Sequence, residues 1–393
     1  MTAGAALGIG ARARRRGLVR TLRREGTLTD PPWIDAFGSV PRHSFLSTFF
    51  VPDEAGWIAL MRGDHGWLDL VYANEVLVTQ LDGDATRWKT AREHGPIDGI
   101  PTSSSSMPSI MAIMLEELLV VPGMSVLEIG TGTGYNAALL CQRLGDSRVS
   151  TVDIDAELVW PAREALDRCG YHPVCEVADG AEGLPSRAPF DRVLLTCSVS
   201  RIPPTLLRQT RPGGIIVTTL NRPIGAGLVR LTVDNGEHAH GRVLPGDGRF
   251  MPLRAHRLAD ARRLLDRLPP ADPEAAAPTA IPIGAVLRPT SPFEFFAGLA
   301  LPGVLAVQTL DDEPDTYLVH GDGSWVCHYP WRGGYVVDQG GPRRLWDDLE
   351  AGYARWQDLG KPTRSRFGIT VDTDGQHLWL DVPDSEHRWP LGS

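Results

Sequence analysis

The glycine-rich stretch Val126-Leu-Glu-Ile-Gly-Thr-Gly-Thr-Gly-Tyr135 constrains the fold of this chain more than any other segment. Its apolar start predicts a short buried strand, its alternate glycines predict a sharp turn, and the residues after Tyr135 predict a helix. A strand, a glycine turn and a helix N-terminus form a nucleotide site in open α/β folds, because glycine lets the backbone approach a ligand closely. The spacing is G-x-G-x-G rather than the G-x-G-x-x-G of dinucleotide sites. A turn that only links a strand to a helix is the simpler alternative.

Polar residues follow the later apolar runs of the same region. Arg148 to Val152 predicts a second strand that ends at Asp153, a little over twenty residues after Gly130. An acidic side chain at that place can accept both ribose hydroxyls of a nucleoside. Asp155 could take this role, but Asp153 follows the apolar run directly. The third and fourth runs are followed by Asp179-Gly180 and by Thr196. Strands that alternate with helices predict a mostly parallel sheet with its ligand residues at the carboxyl edge.

Composition and charge argue against a nucleic-acid partner, a metal site and a membrane span. The 393-residue chain has a formal net charge of −9, which argues against a nucleic-acid partner. Its five cysteines are unclustered, which predicts reduced thiols in a cytoplasm and no metal site. No apolar run is long enough to span a bilayer, and alanines and glycines precede the N-terminal arginines, the wrong order for a secretory signal. We expect a cytoplasmic monomer or homodimer.

A serine run, Ser103-Ser-Ser-Ser106, precedes a predicted helix that starts near Ile110. Such a run can simply be a helix-capping segment. It also lies about twenty residues before the strand of the glycine turn, so its hydroxyls and the free N–H groups of the helix could face the nucleotide site instead. Helix N-termini hold carboxylates well. Both interpretations remain open at this point.

The glycine turn resembles motif I of S-adenosylmethionine-dependent methyltransferases, and the chain from about Arg15 to Leu253 resembles the protein-L-isoaspartate O-methyltransferase family. The segments that match the family pattern follow in its order: Val40-Pro-Arg-His-Ser-Phe45, Ser106-Met107-Pro108, Val126 to Tyr135, Asp179-Gly180, Phe190-Asp191, Arg211-Pro-Gly-Gly214 and Arg249-Phe-Met-Pro-Leu253. The resemblance implies a class I methyltransferase fold, which is an α/β Rossmann-like doubly wound sheet. It also implies S-adenosyl-L-methionine as cofactor, S-adenosyl-L-homocysteine as product, and no metal.

The resemblance also implies residue roles. Ser106 matches the serine that the family assigns to catalysis, with Ser105 and Ser104 as helpers or cofactor contacts. The residues predicted to bind the cofactor are Ser103, Glu128, Gly130, Thr131, Gly132, Gly134, Asp153, Asp179, Gly180 and Thr196. The chain departs from the family's Ser-Gln-Pro or Ser-Ala-Pro in two ways, because Met107 follows the serine and three extra serines precede it.

The family pattern ends near Leu253, and the chain continues for well over a hundred residues. We predict a disordered N-terminus (1–11), an isoaspartyl-methyltransferase-like domain (12–255), a helix and Pro/Ala linker (256–280) and a small α+β domain for peptide recognition (281–393). That last segment contains six tryptophans: Trp325, Trp331, Trp346, Trp356, Trp379 and Trp389. They could form its core, or some could line a peptide-binding surface.

A chain of this family with a serine run and a C-terminal extension resembles a branch found in gene clusters for ribosomally made, modified peptides such as lanthipeptides, graspetides and lasso peptides. The resemblance implies methylation of an ordinary aspartate in a macrocyclic peptide, after which the ester collapses to an aspartimide. Two alternatives remain: repair of isoaspartate in damaged proteins, and a non-catalytic scaffold that binds S-adenosylmethionine. The expected partner is a peptide or protein bearing Asp or isoAsp.

Overall fold

The computed structural model describes residues 3–258, 261–265, 268, 274, 276–308 and 315–392. The chain folds into two compact units. Unit 1 comprises Met1–Cys197, Pro203–Thr218 and Arg230–Ala239, and unit 2 comprises Ser198–Ile202, Thr219–Val229 and His240–Ser393. Each unit therefore collects separate stretches of chain, whereas the predicted domains were consecutive segments with limits at 255 and 281. Those limits stay a prediction.

Unit 1 is an α/β unit, and its elements alternate along the chain as the glycine turn and the later runs predicted. Its helices are α1 (Ala3–Arg24), α2 (Pro31–Ser39), α3 (Trp67–Val71), α4 (Arg87–His94), α5 (Pro108–Glu117), α6 (Tyr135–Leu144), α7 (Ala156–Arg168) and α8 (Pro204–Arg208). Its strands are β1 (Thr48–Asp53), β2 (Gly56–Met61), β3 (Leu77–Leu81), β4 (Pro101–Ser105), β5 (Val126–Ile129), β6 (Val149–Asp153), β7 (Val174–Val177), β8 (Phe190–Val199) and β9 (Thr210–Leu220). Strands β8 and β9 end in residues that belong to unit 2.

The predicted parallel sheet forms the centre of unit 1. Strand β5 pairs in parallel with β6 on one side and with β8 on the other, and β6 pairs in parallel with β7. All four residues of β5 are buried, as expected for a strand with both faces covered. The predicted class I methyltransferase fold, an α/β Rossmann-like arrangement, is confirmed. It brings the carboxyl ends of β5, β6, β7 and β8 to one edge.

A second, antiparallel sheet in unit 1 contains most of the serine run. Its strand order is β2-β1-β3-β4, and Leu77 and Val78 of β3 lie opposite Ser105 and Ser104 of β4. Ser103 and Ser105 are buried on this strand. The serines thus continue a sheet and do not precede the helix as a loop.

Unit 2 combines helices with antiparallel strands. Its remaining elements are β10 (Gly227–Val233) and β11 (Ala239–Val243), which contain residues of both units, then α9 (Ala261–Leu265), β12 (Ala277–Thr279), α10 (Ile283–Leu287), α11 (Glu294–Ala300), β13 (Leu305–Gln308), β14 (Thr316–Val319), β15 (Trp325–Trp331), β16 (Gly334–Gly340), α12 (Leu345–Asp358), β17 (Phe367–Asp372), β18 (Gly375–Leu380) and β19 (Arg388–Pro390). One sheet has the order β12-β16-β15-β14-β13, and β18 pairs with both β17 and β19.

A buried carboxylate explains why unit 2 collects distant stretches of chain. Glu294 has no exposed surface. It accepts hydrogen bonds from the Gly225 backbone N–H at 2.8 Å, from Arg364 Nη2 at 3.1 Å and from Arg249. A buried carboxylate is stable only when paired and hydrogen-bonded. These bonds therefore fix three stretches of unit 2 on helix α11.

Most tryptophans of the extension belong to the core of unit 2. Trp325, Trp346, Trp356 and Trp379 are buried. Trp389 is half-buried, whereas Trp331 is 47% exposed, and so is the nearby Tyr335 at 40%. The core interpretation accounts for four of the six, and the exposed Trp331 remains a candidate for peptide contact.

Two segments have a different structure from the one predicted for them. The first eleven residues were predicted to be disordered, but α1 begins at Ala3, which is consistent with the high helix propensity of alanine; residues 1 and 2 lie outside the described part. The predicted Pro/Ala linker falls partly on residues outside that part (259–260, 266–267, 269–273 and 275). Inside it, 277–279 form a strand that pairs with β16. Within the described ranges, no helix is long and apolar enough to cross a bilayer.

Candidate active site

The turn after β5 can be made only with glycine. Gly130, Gly132 and Gly134 have φ values of +100°, +51° and +82°, a region that other L-residues rarely adopt. A Cβ on Gly130 would lie 2.5 Å from Thr196 Oγ1, and one on Gly134 would lie 3.2 Å from the Ala162 Cβ. The three glycines therefore let the turn pack tightly against β8 and α7.

Glu128 lies beneath this turn with no exposed surface. Its two carboxylate oxygens accept hydrogen bonds from Asn136 Nδ2 at 2.6 Å and from Thr151 Oγ1 at 2.7 Å, and Thr151 Oγ1 is 2.8 Å from Thr131 Oγ1. Burial raises the pKa of Glu128 to about 7. These bonds connect β5 to β6 and α6. They also fix Thr131, which is part of the turn, through Thr151. A direct contact of either side chain with the cofactor stays a prediction.

Asp153 stands at the carboxyl end of β6, next to the glycine turn. Its Oδ2 accepts a hydrogen bond from the Gly132 N–H at 3.0 Å, and its Oδ1 accepts one from the Asp155 N–H at 3.2 Å. Burial raises the pKa of Asp153 above its ordinary value. Asp155 has a different task, because its side chain caps α7 at Glu157 N and accepts a bond from Gln80. Asp153 stays the predicted ribose acceptor, because its carboxylate lies directly against the glycine turn and each of its oxygens can accept a further hydrogen bond.

Residues at the ends of β7 and β8 complete this edge. The Ala178 N–H donates to the Asp153 carbonyl oxygen at 2.9 Å, so the Asp179-Gly180 turn lies beside β6. Asp179 is exposed and its Oδ1 accepts the Ala181 N–H at 2.9 Å, whereas Gly180 is buried. On β8, Thr196 Oγ1 donates to the Gly130 carbonyl oxygen at 2.8 Å.

Cys197, next to Thr196, is not a candidate nucleophile. Burial raises its pKa to about 12, so it remains a protonated thiol at neutral pH. Among the residues that the structure describes, no group of three His, Cys, Asp or Glu side chains could hold a metal ion. The side chains that converge here are therefore hydroxyls and carboxylates.

The serine run lies across the glycine turn. The Ser104 carbonyl oxygen and Ser103 Oγ would lie 3.6 and 4.0 Å from a Cβ on Gly132. Ser103 Oγ also accepts a hydrogen bond from Thr79 Oγ1 on β3 at 3.1 Å. Two stretches that are distant in the sequence, the serine run and the glycine turn, are thus adjacent in the fold.

The simpler interpretation of the serine run, as a helix cap, does not hold. Helix α5 has Met107 at its N-cap, without a side-chain cap from the run. The Ser109 N–H instead donates to Asn74 Oδ1 at 2.9 Å. One of the free N–H groups that could have bound a carboxylate is therefore already satisfied by a residue of unit 1.

The last two serines contact a residue to which no role was assigned from the sequence. Arg42 Nη2 donates to Ser105 Oγ at 3.2 Å and to the Ser106 carbonyl oxygen at 3.1 Å. Ser106 is half-buried. In the described part of the chain its side-chain hydroxyl forms no hydrogen bond, and its bond to Arg42 is through the carbonyl oxygen. From the sequence, Arg42 was only one residue of the segment Val40–Phe45 that matches the family. Its signal was a charged residue directly after Val40-Pro41, in the segment that matches the family.

This arrangement fits a nucleoside bound at the sheet edge. Gly130, Gly132 and Gly134 carry no Cβ that would keep a ligand away from the turn. Asp153, beside Gly132, can accept ribose hydroxyls. Ser103 and Ser104 lie close to Gly132 of the same turn. The residues present therefore fit S-adenosylmethionine.

Comparisons with known proteins point to one family. The family model "Protein-L-isoaspartate(D-aspartate) O-methyltransferase (PCMT)" matches residues 92–253. A protein-L-isoaspartate O-methyltransferase of Pyrobaculum neutrophilum is 37% identical over 167 residues, which cover 42% of this chain and 80% of the relative. One of Methanococcoides burtonii is 32% identical over 242 residues, which cover 60% of this chain and 97% of the relative.

A solved structure is similar over almost the whole chain. It is named a protein-L-isoaspartate O-methyltransferase, and the likeness covers 94% of this chain and 100% of the other, with a TM-score of 0.52 at 21% identity. At that identity the likeness supports the fold alone. The relatives are matched over most of their length at more than 30% identity, and we conclude from them that the chain belongs to the protein-L-isoaspartate O-methyltransferase family.

Proposed function

We propose that this chain transfers the methyl group of S-adenosylmethionine to the side-chain carboxylate of an aspartate in a modified, macrocyclic ribosomal peptide. The observation that carries the proposal is the Ser106 hydroxyl, which is half-buried and unbonded among the described residues. It directly follows serines that lie across the glycine turn. Such a hydroxyl can donate a hydrogen bond to one oxygen of a carboxylate.

The chain's own residues have mainly a positioning task in this reaction. Bound S-adenosylmethionine supplies an electrophilic methyl group, and its S–CH₃ bond breaks as the carboxylate oxygen forms the new O–CH₃ bond. A carboxylate is ionised at neutral pH, so no residue has to remove a proton. Ser106, helped by Ser104 and Ser105, would orient the carboxylate, and Asp153 with the glycine turn would hold the nucleoside. Orientation and exclusion of water then account for most of the rate.

The ester is expected to react further without help from the protein. The backbone nitrogen that follows the methylated aspartate attacks the ester carbonyl carbon, and methanol leaves with the amide proton. A five-membered aspartimide ring remains. A macrocyclic peptide has already lost much conformational freedom, so few contacts can hold it. A linear peptide would lose roughly 1–2 kcal/mol for each residue that is ordered on binding.

Two features support a peptide other than a generic damaged protein. Met107 and the additional serines depart from the family's pattern beside Ser106. In unit 2, the hairpin of β15 and β16 exposes Trp331 and Tyr335, and exposed aromatic residues are common in peptide-binding surfaces. A truncation at Pro278 would remove only part of unit 2, so Trp331→Ala is the cleaner variant for testing this surface.

Repair of isoaspartate is the second candidate. Relatives that share up to 37% identity carry the name protein-L-isoaspartate O-methyltransferase. The solved structure of the same name matches 94% of this chain, so a long C-terminal part also occurs in a protein of that name. The extension alone therefore does not favour the modified-peptide substrate.

Mass spectrometry distinguishes the two candidates. The chain is incubated with S-adenosylmethionine and a macrocyclised precursor peptide, its linear form or a generic isoaspartyl peptide. The proposal expects a gain of one methyl group, followed by loss of methanol, on the macrocyclic peptide alone. Efficient methylation of the isoaspartyl peptide would establish repair instead.

Two serine variants test the site in the same assay. Ser106→Ala should lower the methylation rate by about 10- to 100-fold, the cost of one lost hydrogen bond to a charged group. Ser109→Ala, a buried serine in the first turn of α5, is the matched control and should keep the wild-type rate. Equal rates for both variants would remove Ser106 from the reaction.

A further inference from the structure

Arg42 lies inside unit 1 and has no exposed surface. It lies in a short helical turn after α2 and is 5.8 Å from the ring centroid of Tyr135. Its Nη1 donates to the carbonyl oxygens of Val71 (3.0 Å) and Ala73 (3.2 Å). The two N–H groups of its Nη2 are shared among the carbonyl oxygens of Glu75 (3.3 Å) and Ser106 (3.1 Å) and Ser105 Oγ (3.2 Å). Three separate stretches of chain thus meet at one side chain.

The charge of Arg42 has no carboxylate partner. Buried arginines are normally paired with a carboxylate, because an isolated buried charge is costly. Within the residues that the structure describes, Arg42 forms no ion pair, and carbonyl dipoles and one hydroxyl solvate it instead. Burial lowers its pKa to about 10, so it is still a cation at neutral pH. Unit 1 therefore contains an unneutralised positive charge directly beside the last two serines.

The bond to Ser105 has a chemical consequence. A serine hydroxyl has one proton and two lone pairs. Because Ser105 Oγ accepts from a cation, its own proton remains available for donation. A hydroxyl polarised in this way is a stronger donor, since hydrogen bonds in a chain reinforce one another. Ser106 is held through its backbone, so its side chain stays free.

We infer that Arg42 is the positioning residue of the serine run and that its unneutralised charge selects an anionic carboxylate over a neutral carboxamide at Ser105 and Ser106. This inference rests on the proposed methyl transfer to a carboxylate. Arg42 acts through the serines, because both of its Nη atoms are hydrogen-bonded within unit 1 and its Nε, which has no partner among the described residues, is buried. In a site of low dielectric, a cation near the serines still stabilises an anion bound to them.

Two substitutions separate the geometric role from the electrostatic one. Arg42→Lys keeps the charge but loses the planar fork that reaches several acceptors. Arg42→Met keeps much of the length and loses the charge. Arg192→Lys is the matched control: Arg192 is 8% exposed and donates to the carbonyl oxygens of Leu118 (2.5 Å) and Leu119 (3.1 Å), beyond the other end of α5.

Activity is measured with the peptide that the wild-type chain methylates, either macrocyclic or isoaspartyl. Both Arg42 variants should lower kcat/KM by about 100-fold, the typical effect of a misplaced reacting group. Affinity for S-adenosylhomocysteine, measured by calorimetry, should stay within about threefold, because Arg42 forms no hydrogen bond with Asp153 or the glycines of the turn. Arg192→Lys should leave both quantities within about threefold. Wild-type activity in both Arg42 variants would overturn the inference.

The electrostatic role of Arg42 is tested with a peptide in which asparagine replaces the target aspartate. The wild-type chain should bind the aspartate peptide more tightly than the asparagine peptide. Arg42→Lys should retain most of this preference, and Arg42→Met should lose about tenfold of it, which corresponds to about 1.4 kcal/mol. An unchanged preference in Arg42→Met would refute the electrostatic part.

Hydrogen exchange needs no catalysis, so it tests the role of Arg42 independently of the proposed function. If the wild-type chain methylates neither peptide, the proposed function fails, and hydrogen exchange of residues 103–107 decides the inference. Exchange there should be at least about tenfold faster in Arg42→Lys and unchanged in Arg192→Lys, since only the first variant loses charged hydrogen bonds to residues 103–107. If the Arg42 variants do not fold, Ser105→Ala removes the same bond and should accelerate exchange in the same segment. Unchanged exchange in the folded variants would overturn the positioning role.

Discussion

Glu128 makes the stability of unit 1 depend on pH. Its carboxyl group is fully buried under the glycine turn, and burial raises its pKa from an ordinary 4.5 to about 7. The native protein therefore holds this proton in a pH range where the unfolded chain has released it. The stabilising contribution is fully present below the unfolded pKa and is lost as the pH rises through the native pKa.

The size of the effect follows from these two pKa values. One pKa unit corresponds to about 1.4 kcal/mol. Between pH 5 and pH 8, the free energy of unfolding should fall by about 2–3 kcal/mol because of Glu128 alone. Glutamine has the same shape and does not titrate. Its carbonyl oxygen can accept from Asn136, and its amide can donate to Thr151 Oγ1, which then donates to Thr131.

The perturbation is Glu128→Gln, and the assay is urea unfolding of wild type and variant at pH 5 and pH 8, followed by circular dichroism. The free energy of unfolding of the variant minus that of the wild type should be about 2–3 kcal/mol larger at pH 8 than at pH 5. Titrating groups that do not interact with Glu128 contribute equally to both proteins and cancel in this difference. Stability curves that run parallel from pH 5 to pH 8 would refute the reasoning.

Three further predictions use neighbouring features. Asp153→Ala should weaken S-adenosylhomocysteine binding by about 1–3 kcal/mol, whereas Asp155→Ala, which removes a helix cap, should not; calorimetry measures both. Gly130→Ala should lower the free energy of unfolding by at least about 1–2 kcal/mol, because φ is +100° and the new Cβ meets a threonine hydroxyl, and an unchanged urea midpoint would contradict this. Trp346→Ala should destabilise unit 2 by about 3–5 kcal/mol and the exposed Trp331→Ala by about 0.5 kcal/mol, so equal losses would reject the division into core and surface tryptophans.

The sequence alone determined the local parts of this molecule. The strand before Gly130, the helix after Gly134 and the acidic residue at the end of β6 all follow from short-range rules. Periodicity fixes the elements, positive φ requires glycine, and the carboxyl ends of parallel strands share one edge. The predicted site residues at this edge lie together because one parallel sheet aligns them.

Only the tertiary structure decided which distant residues support the site. The sequence left open whether the serine run caps a helix, and the answer depends on Asn74, which caps α5 from another loop. The bonds from Arg42 to Ser105 and Ser106 span more than sixty positions, and no local pattern encodes such a pairing. Unit 2 likewise gathers separate stretches around the buried Glu294. Local backbone preferences act over a few residues, whereas hydrogen-bond satisfaction of buried polar groups is settled only when the whole chain has packed.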